Sequence, residues 1–162
     1  MAFIKPILEK KTNVVLQFVS IRDTELDRTS TDAKALEEYR NGNFAIESSF
    51  VWKGDKTLFT FKPISMAEWE TIQMEAYSEL MTKMVASSTE NMSDEERSIQ
   101  QFTHSLFIES TLAVKVFNKT FRELQVGEEH FKRSDIIDAI PVDIKKELGS
   151  YVVLSCNVVS FL

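Results

Sequence analysis

The chain is short of the residues from which active sites and covalent staples are usually built. It has one cysteine in 162 residues, Cys156, so no disulfide can form within it. An unpaired thiol set among Val and Leu suits a reducing compartment and reads as an inert, buried group. Its two histidines carry no motif. His104 and Glu109 are five apart, which is wrong for one helical face, and His130 follows Glu128-Glu129 without the second His that a helical zinc site needs. The four glycines are scattered at Gly42, Gly54, Gly127 and Gly149, so no glycine-rich phosphate loop is present. No apolar run approaches the roughly 18 residues of a membrane span, and the Ala2-Phe3-Ile4-Lys5-Pro6 start lacks the apolar core of a signal peptide. Positive charge is also scarce: 19 basic against 25 acidic residues give a formal charge of −6, and Lys132-Arg133 is too short a patch to argue for nucleic acid. The acidic groups Asp94-Glu95-Glu96 and Asp135 with Asp138 read as helix-terminus residues. These absences predict a cytoplasmic, non-enzymatic protein with no cofactor, no metal, no membrane and no nucleic-acid partner.

What is present is ordinary in amount and unusual in kind. Apolar residues make up 43% and charged residues 27%, as in a globular chain, but twelve Phe stand against three Tyr. That much plain aromatic surface must lie in a core or against a partner. At this length one domain over 1–162 is expected, with a β-rich part over 1–64 and a helical part over 65–162. The fold class is therefore α+β: a small N-terminal antiparallel sheet with a β-hairpin, then a mainly helical C-terminal two-thirds.

The most specific local signals lie between Phe50 and Met84. Phe50-Val51-Trp52 and Thr57-Leu58-Phe59-Thr60-Phe61 read as a hairpin about Lys53-Gly54-Asp55-Lys56, with Gly54 at positive φ. Phe44–Trp52, Thr57–Lys62 and Val14–Ile21 would make a three-stranded sheet. A short helix through Ala35, Leu36 and Tyr39 is expected between a Thr31 or Asp32 cap and Asn41-Gly42. Pro63 ends the last strand. Ser65 with Glu68 forms a capping box, and Ile64 with Trp69 a hydrophobic staple. From Met66 the period turns helical through Trp69, Ile72, Ala76, Leu80 and Met84, and a polar loop over 86–91 interrupts it. Ser93 with Glu96 opens a second capping box. Ile99, Phe102, Leu106, Ala113, Val116, Phe117, Phe121 and Leu124 then mark one stripe of a helix about 45 Å long if it continues to Leu124. Gly127 reads as its C-terminal stop. Ser134 opens a short helix, Pro141 restarts another, Gly149 weakens it, and the Val-rich segment from Tyr151 to Leu162 is open between helix and strand.

Phe107, Ile108, Leu112 and Val114 fall outside the narrow stripe of the long helix. Either that helix is covered all round, or it offers a second apolar face to another chain. A three-stranded sheet is small cover for two long helices, so surplus apolar surface is expected to meet a partner. Met66, Met74, Met81, Met84 and Met92 add polarisable side chains suited to an adaptable surface. If the chain grips a partner, Trp69, Met81, Met84, Phe107 and Leu112 are the expected contacts, with Trp69 beside the hairpin also reading as core, and further copies of the chain are partners on the same ground.

The order of these elements resembles the tail assembly chaperones of long-tailed, lambda-like bacteriophages. The likeness runs from a hairpin ending in Thr57-Leu58-Phe59-Thr60-Phe61-Lys62-Pro63-Ile64-Ser65, directly followed by a helix with Glu68-Trp69, through the polar gap and a long helix over Ser93–Leu124, to Ile137-Asp138-Ala139-Ile140-Pro141-Val142-Asp143-Ile144. It covers roughly Phe44 to Ser155, and Met1–Asn43 has no counterpart in it. The resemblance implies a non-enzymatic role in the host cytoplasm: holding the helical tape measure protein soluble and recruiting tail tube subunits to it. It supplies no catalytic residues. A structural virion component, such as a minor tail, connector or capsid-associated protein, is the alternative that the same Phe-rich composition serves.

Overall fold

A computed structural model describes residues 15–86 and 93–156. The fold is α+β. A four-stranded antiparallel sheet in the order β1-β2-β3-β4 is built from β1 (Leu16–Phe18), β2 (Thr57–Phe61), β3 (Phe121–Val126) and β4 (Glu129–Lys132). The helices are α1 (Ala33–Arg40), α2 (Met66–Ala86), α3 (Asp94–Thr120), the single turn α4 (Arg133–Ile136) and α5 (Val142–Cys156).

The expected hairpin before β2 does not form. Phe44–Ser49 is a 3-10 helix, and Trp52 makes only an isolated bridge to Leu26. Local chemistry explains the difference. Ser48 and Ser49 donate their hydroxyls to the carbonyls of Ala45 and Ile46, three residues back, which favours a tight turn over a ladder. The backbone beyond is taken by the preceding loop: Asp27 N–H donates to Val51 and Lys53 N–H to Glu25. Gly54 does not adopt positive φ; Gly42 and Gly127 do. The partners of β2 come instead from far along the chain. Leu16 pairs with Phe61 and Phe18 with Phe59 on one side, and Phe59 pairs with Leu124 on the other. The helical two-thirds thus contributes half the strands.

Those strands cut the long helix short. Phe121 and Leu124, expected on its stripe, lie in β3. Their spacing of three suits a helix face; in β3 the irregular register opposite Thr60–Phe61 lets both be buried, and pairing to the open edge of β2 decides for the strand. The end of α3 is held from outside: Lys62 N–H donates to the Thr120 carbonyl at 2.9 Å, and the Arg133 guanidinium donates to the carbonyls of Asn118 and Phe121. Gly127, at φ +60°, is not a helix stop but the first residue of the two-residue β3–β4 turn.

Other expectations hold. Asp32 caps α1, accepting from Lys34 N–H. Both capping boxes form: Glu68 N–H donates to Ser65 Oγ at 3.1 Å, and Ser93 with Glu96 satisfies both partners. Ile64 and Trp69 are both buried, as a staple requires. The short helix begins one residue earlier than expected, at Arg133, and Tyr151–Cys156 is helical. The polar loop and the last Val-rich residues fall mostly at 87–92 and 157–162, outside the described residues.

One aromatic core joins sheet and helices. Phe61, Phe117 and Phe121 are fully buried, with Phe117 and Phe121 stacked at 5.0 Å. Tyr39 and Tyr151 meet edge-to-face at 5.3 Å, and Tyr39 hydrogen-bonds both backbone groups of Val19. Helix α5 crosses α3 at Gly149 and then turns toward Phe18, Tyr39 and Phe44. The N-terminal half of α3 is left without that cover.

Candidate protein-binding surface

Two helices run antiparallel beyond the core. Lys115 of α3 pairs with Glu79 of α2 at 2.6 Å and with Glu75 at 3.7 Å, while Lys83, further along α2, lies over the Phe107 ring, nearer the start of α3. Rising numbers on α2 therefore meet falling numbers on α3. The Lys115 ammonium is held above its ordinary range chiefly by its hydrogen bond to Glu79.

The inner face of α2 is Trp69, Ile72 and Ala76, all buried. A second apolar stripe, Met74, Tyr77, Met81 and Met84, is exposed, with Met74 at 74%. At about 100° per residue it is rotated by about 120° from the inner face. On α3 the stripe beginning with Ile99, Phe102 and Leu106 is the same line of residues that continues into buried Ala113, Val116 and Phe117. Its first half is exposed, with Phe102 at 66%, because α5 covers only the second. A helix face that is apolar along its whole length but packed over half of it leaves a patch that water pays for in ordering.

The expected contacts divide. Met81 and Met84 lie on the exposed stripe. Phe107 is half-buried under Lys83, and Leu112 is half-buried against the core, so the residues outside the narrow stripe are largely covered by the molecule itself. Trp69 is a correction: at 4% exposed it faces the core, and its Nε1 has no hydrogen-bond partner among the described residues. The sequence names Met74 only among methionines suited to an adaptable surface, does not single out Tyr77, and places Ile99, Phe102 and Leu106 on the stripe of the long helix without saying which of them face out. The 3-4-3 spacing of Met74, Tyr77, Met81 and Met84 was the available signal, since it defines a face of its own beside that of Trp69.

A concavity lies elsewhere. A cleft of about 620 Å³ between the β1–α1 loop, α3 and α5 is lined by Arg22, Arg28, Arg40, Lys146, Glu109 and Glu147, among others. Glu147 is occupied there, accepting from Ser20 Oγ, Ile21 N–H and Tyr151 Oη at 2.6–2.9 Å. Burial, and then this carboxylate, push the Tyr151 phenol up. Neither histidine lines the cleft: His104 lies half-buried on α3 and His130 exposed on β4. Among the described residues no three His, Cys, Asp or Glu side chains are grouped to hold a metal. Cys156 is half-buried, burial pushes its thiol up, and Ile64 N–H donates to Sγ at 3.5 Å. No described helix is long and apolar enough to cross a membrane.

No family model, curated protein or solved structure matches the chain. The exposed stripes of α2 and α3 are therefore read on their own geometry.

Proposed function

We propose that this chain is a non-enzymatic assembly chaperone of the kind found in long-tailed bacteriophages, which keeps the tape measure protein soluble and brings tail tube subunits to it. One observation carries the reading: two long helices keep exposed apolar stripes after the core has closed. Helices of that kind suit a client whose own helices carry apolar faces that must be covered until assembly. The strand Thr57–Phe61, the two long helices after it, each opened by a capping box, and the late helix support the same class, although among the described residues no hairpin precedes them and β3 and β4 intervene.

The test is made on both sides of assembly. Co-expressed with a tape measure fragment, the chain is expected to form a soluble complex that co-elutes on gel filtration. Mass spectrometry of purified mature particles is expected to find it absent. Stoichiometric presence in particles would overturn the reading in favour of a virion component.

A further inference from the structure

We propose that the cleft between the β1–α1 loop, α3 and α5 binds a compact phosphate-bearing anion, held by its phosphate groups. Phosphate binding here goes beyond the client reading above and involves none of the exposed stripe residues.

Arginine is unevenly placed in this chain. Three of its six arginines, Arg22, Arg28 and Arg40, line this one cleft, and Lys146 joins them. All three come from the segment between β1 and the end of α1, which brings no carboxylate to the cleft. One wall is therefore purely cationic. A guanidinium presents its N–H groups in a planar fork that matches two phosphate oxygens. These forks are positioned but mostly uncommitted. Arg28 donates to the Ile21 carbonyl at 2.7 Å, which anchors its side chain and leaves further donors for a ligand. Arg22 Nε stands 3.8 Å from Glu147, too far for a hydrogen bond. The Arg40 and Lys146 side chains are exposed and make no hydrogen bond or ion pair with a described residue.

The acids stand on the opposite wall, and one of them is already engaged. Glu147 accepts from Ser20, Ile21 and Tyr151, so its charge is turned toward the protein. Glu109 and Asp143 remain, both exposed. Four cations thus face two uncommitted carboxylates, in a chain whose formal charge is −6. The walls of a cleft concentrate such a potential, and an anion is drawn in against the net charge of the molecule. The volume of about 620 Å³ suits a small ligand. Tyr151, the one aromatic residue that lines the cleft, is buried. A nucleobase therefore meets no ring to stack on, and recognition rests on the phosphates.

The test uses the full-length chain and inorganic pyrophosphate, without divalent cations. Isothermal titration is expected to give a dissociation constant below about 1 mM at about 50 mM salt, weakening as salt rises to about 300 mM. ADP is expected to bind within about threefold of pyrophosphate, since its base adds no stacking contact. The R40Q/K146Q chain is expected to bind pyrophosphate at least about tenfold more weakly, and the E109Q chain about two- to fivefold more tightly. Both are expected to melt as the parent does, because the three side chains are exposed. Opposite signs from one cleft separate recognition from a general effect on folding. No binding by the parent chain, or binding that R40Q/K146Q leaves unchanged, would overturn the proposal. A Glu-rich peptide bound more tightly than pyrophosphate would also overturn it and make the cleft a protein contact.

Discussion

Gly149 of α5 lies against Ala113 of α3 so closely that a Cβ at 149 would overlap the Ala113 carbonyl and its neighbouring backbone. The sequence reads Gly149 as a weak point, because glycine inside a helix costs about 1 kcal/mol relative to alanine. In the fold it is the condition for the α3–α5 crossing. Helix propensity and packing therefore predict opposite signs for Gly149→Ala. Overpacking against backbone typically costs about 1–3 kcal/mol, and nothing flexible is there to give way. A net loss of at least about 1 kcal/mol is expected in urea unfolding, and a raised midpoint would mean that the helices do not approach so closely.

Glu147 ties α5 to the end of the first strand. Its side chain is 9% exposed and receives three hydrogen bonds, from Ser20, Ile21 and Tyr151. Glu147→Ala leaves the Ile21 N–H without its carboxylate acceptor, and a loss of about 2–3 kcal/mol is expected, with Glu147→Gln losing less. Arg22 stands at 3.8 Å with its side chain largely exposed, so Arg22→Ala is expected to change stability by less than about 1 kcal/mol. Comparable losses in all three variants would argue against this division.

Alkaline conditions probe the same region. Burial pushes the Tyr39 and Tyr151 phenols above the ordinary tyrosine value of about 10, and for Tyr151 the Glu147 carboxylate adds to it. Below that value both folded and unfolded chains hold the proton, so stability does not depend on these groups. Above it the unfolded chain releases protons that the folded chain keeps, and stability falls as pH rises. Unfolding free energy measured between about pH 8 and about pH 12 is expected to decline, with a shallower slope in Tyr151→Phe. An unchanged slope would place Tyr151 in water.

The helix starts were legible because each is written within four residues. Ser65 with Glu68, Ser93 with Glu96, and Asp32 all act as the local chemistry dictates. The strands were not, because their partners lie far apart in sequence: Phe59 is matched by Phe18 and Leu124. Nothing local tells Phe121 and Leu124, at a spacing that suits a helix, that an open strand edge waits for them. The candidate surface was legible as a surplus and illegible as a place. Two long helices beside a small sheet implied apolar surface beyond what the sheet could cover. Which half of the α3 stripe stays bare depends on where α5 crosses, and that is set by Gly149.

Arg133 is expected to define the end of α3. Its guanidinium reaches the Asn118 and Phe121 carbonyls, two groups that a helix end otherwise leaves unpaired. Arg133→Ala is expected to cost about 1–3 kcal/mol, and Arg133→Lys to recover only part of it, since one ammonium cannot span both carbonyls in the fork geometry. Hydrogen exchange supplies the local readout: the β3 amides, from Phe121 onward, are expected to lose protection before those of α2.

The exposed stripe can be tested without any partner. Met74, Met81 and Phe102 are all more than half exposed, so replacing each with Glu removes no core packing. Each replacement is expected to leave the unfolding free energy within about 0.5 kcal/mol of the parent. The same three changes together remove three of the seven exposed apolar side chains of the two stripes, so the fluorescence of a dye such as ANS with the folded protein is expected to fall. Phe117→Glu is the contrast, because that ring is fully buried and stacked on Phe121. It is expected to unfold the chain, burying a charge where no partner stands. If the triple surface variant were destabilised like the core variant, Met74, Met81 and Phe102 would be core after all, and the case for an exposed protein-binding surface would go with them.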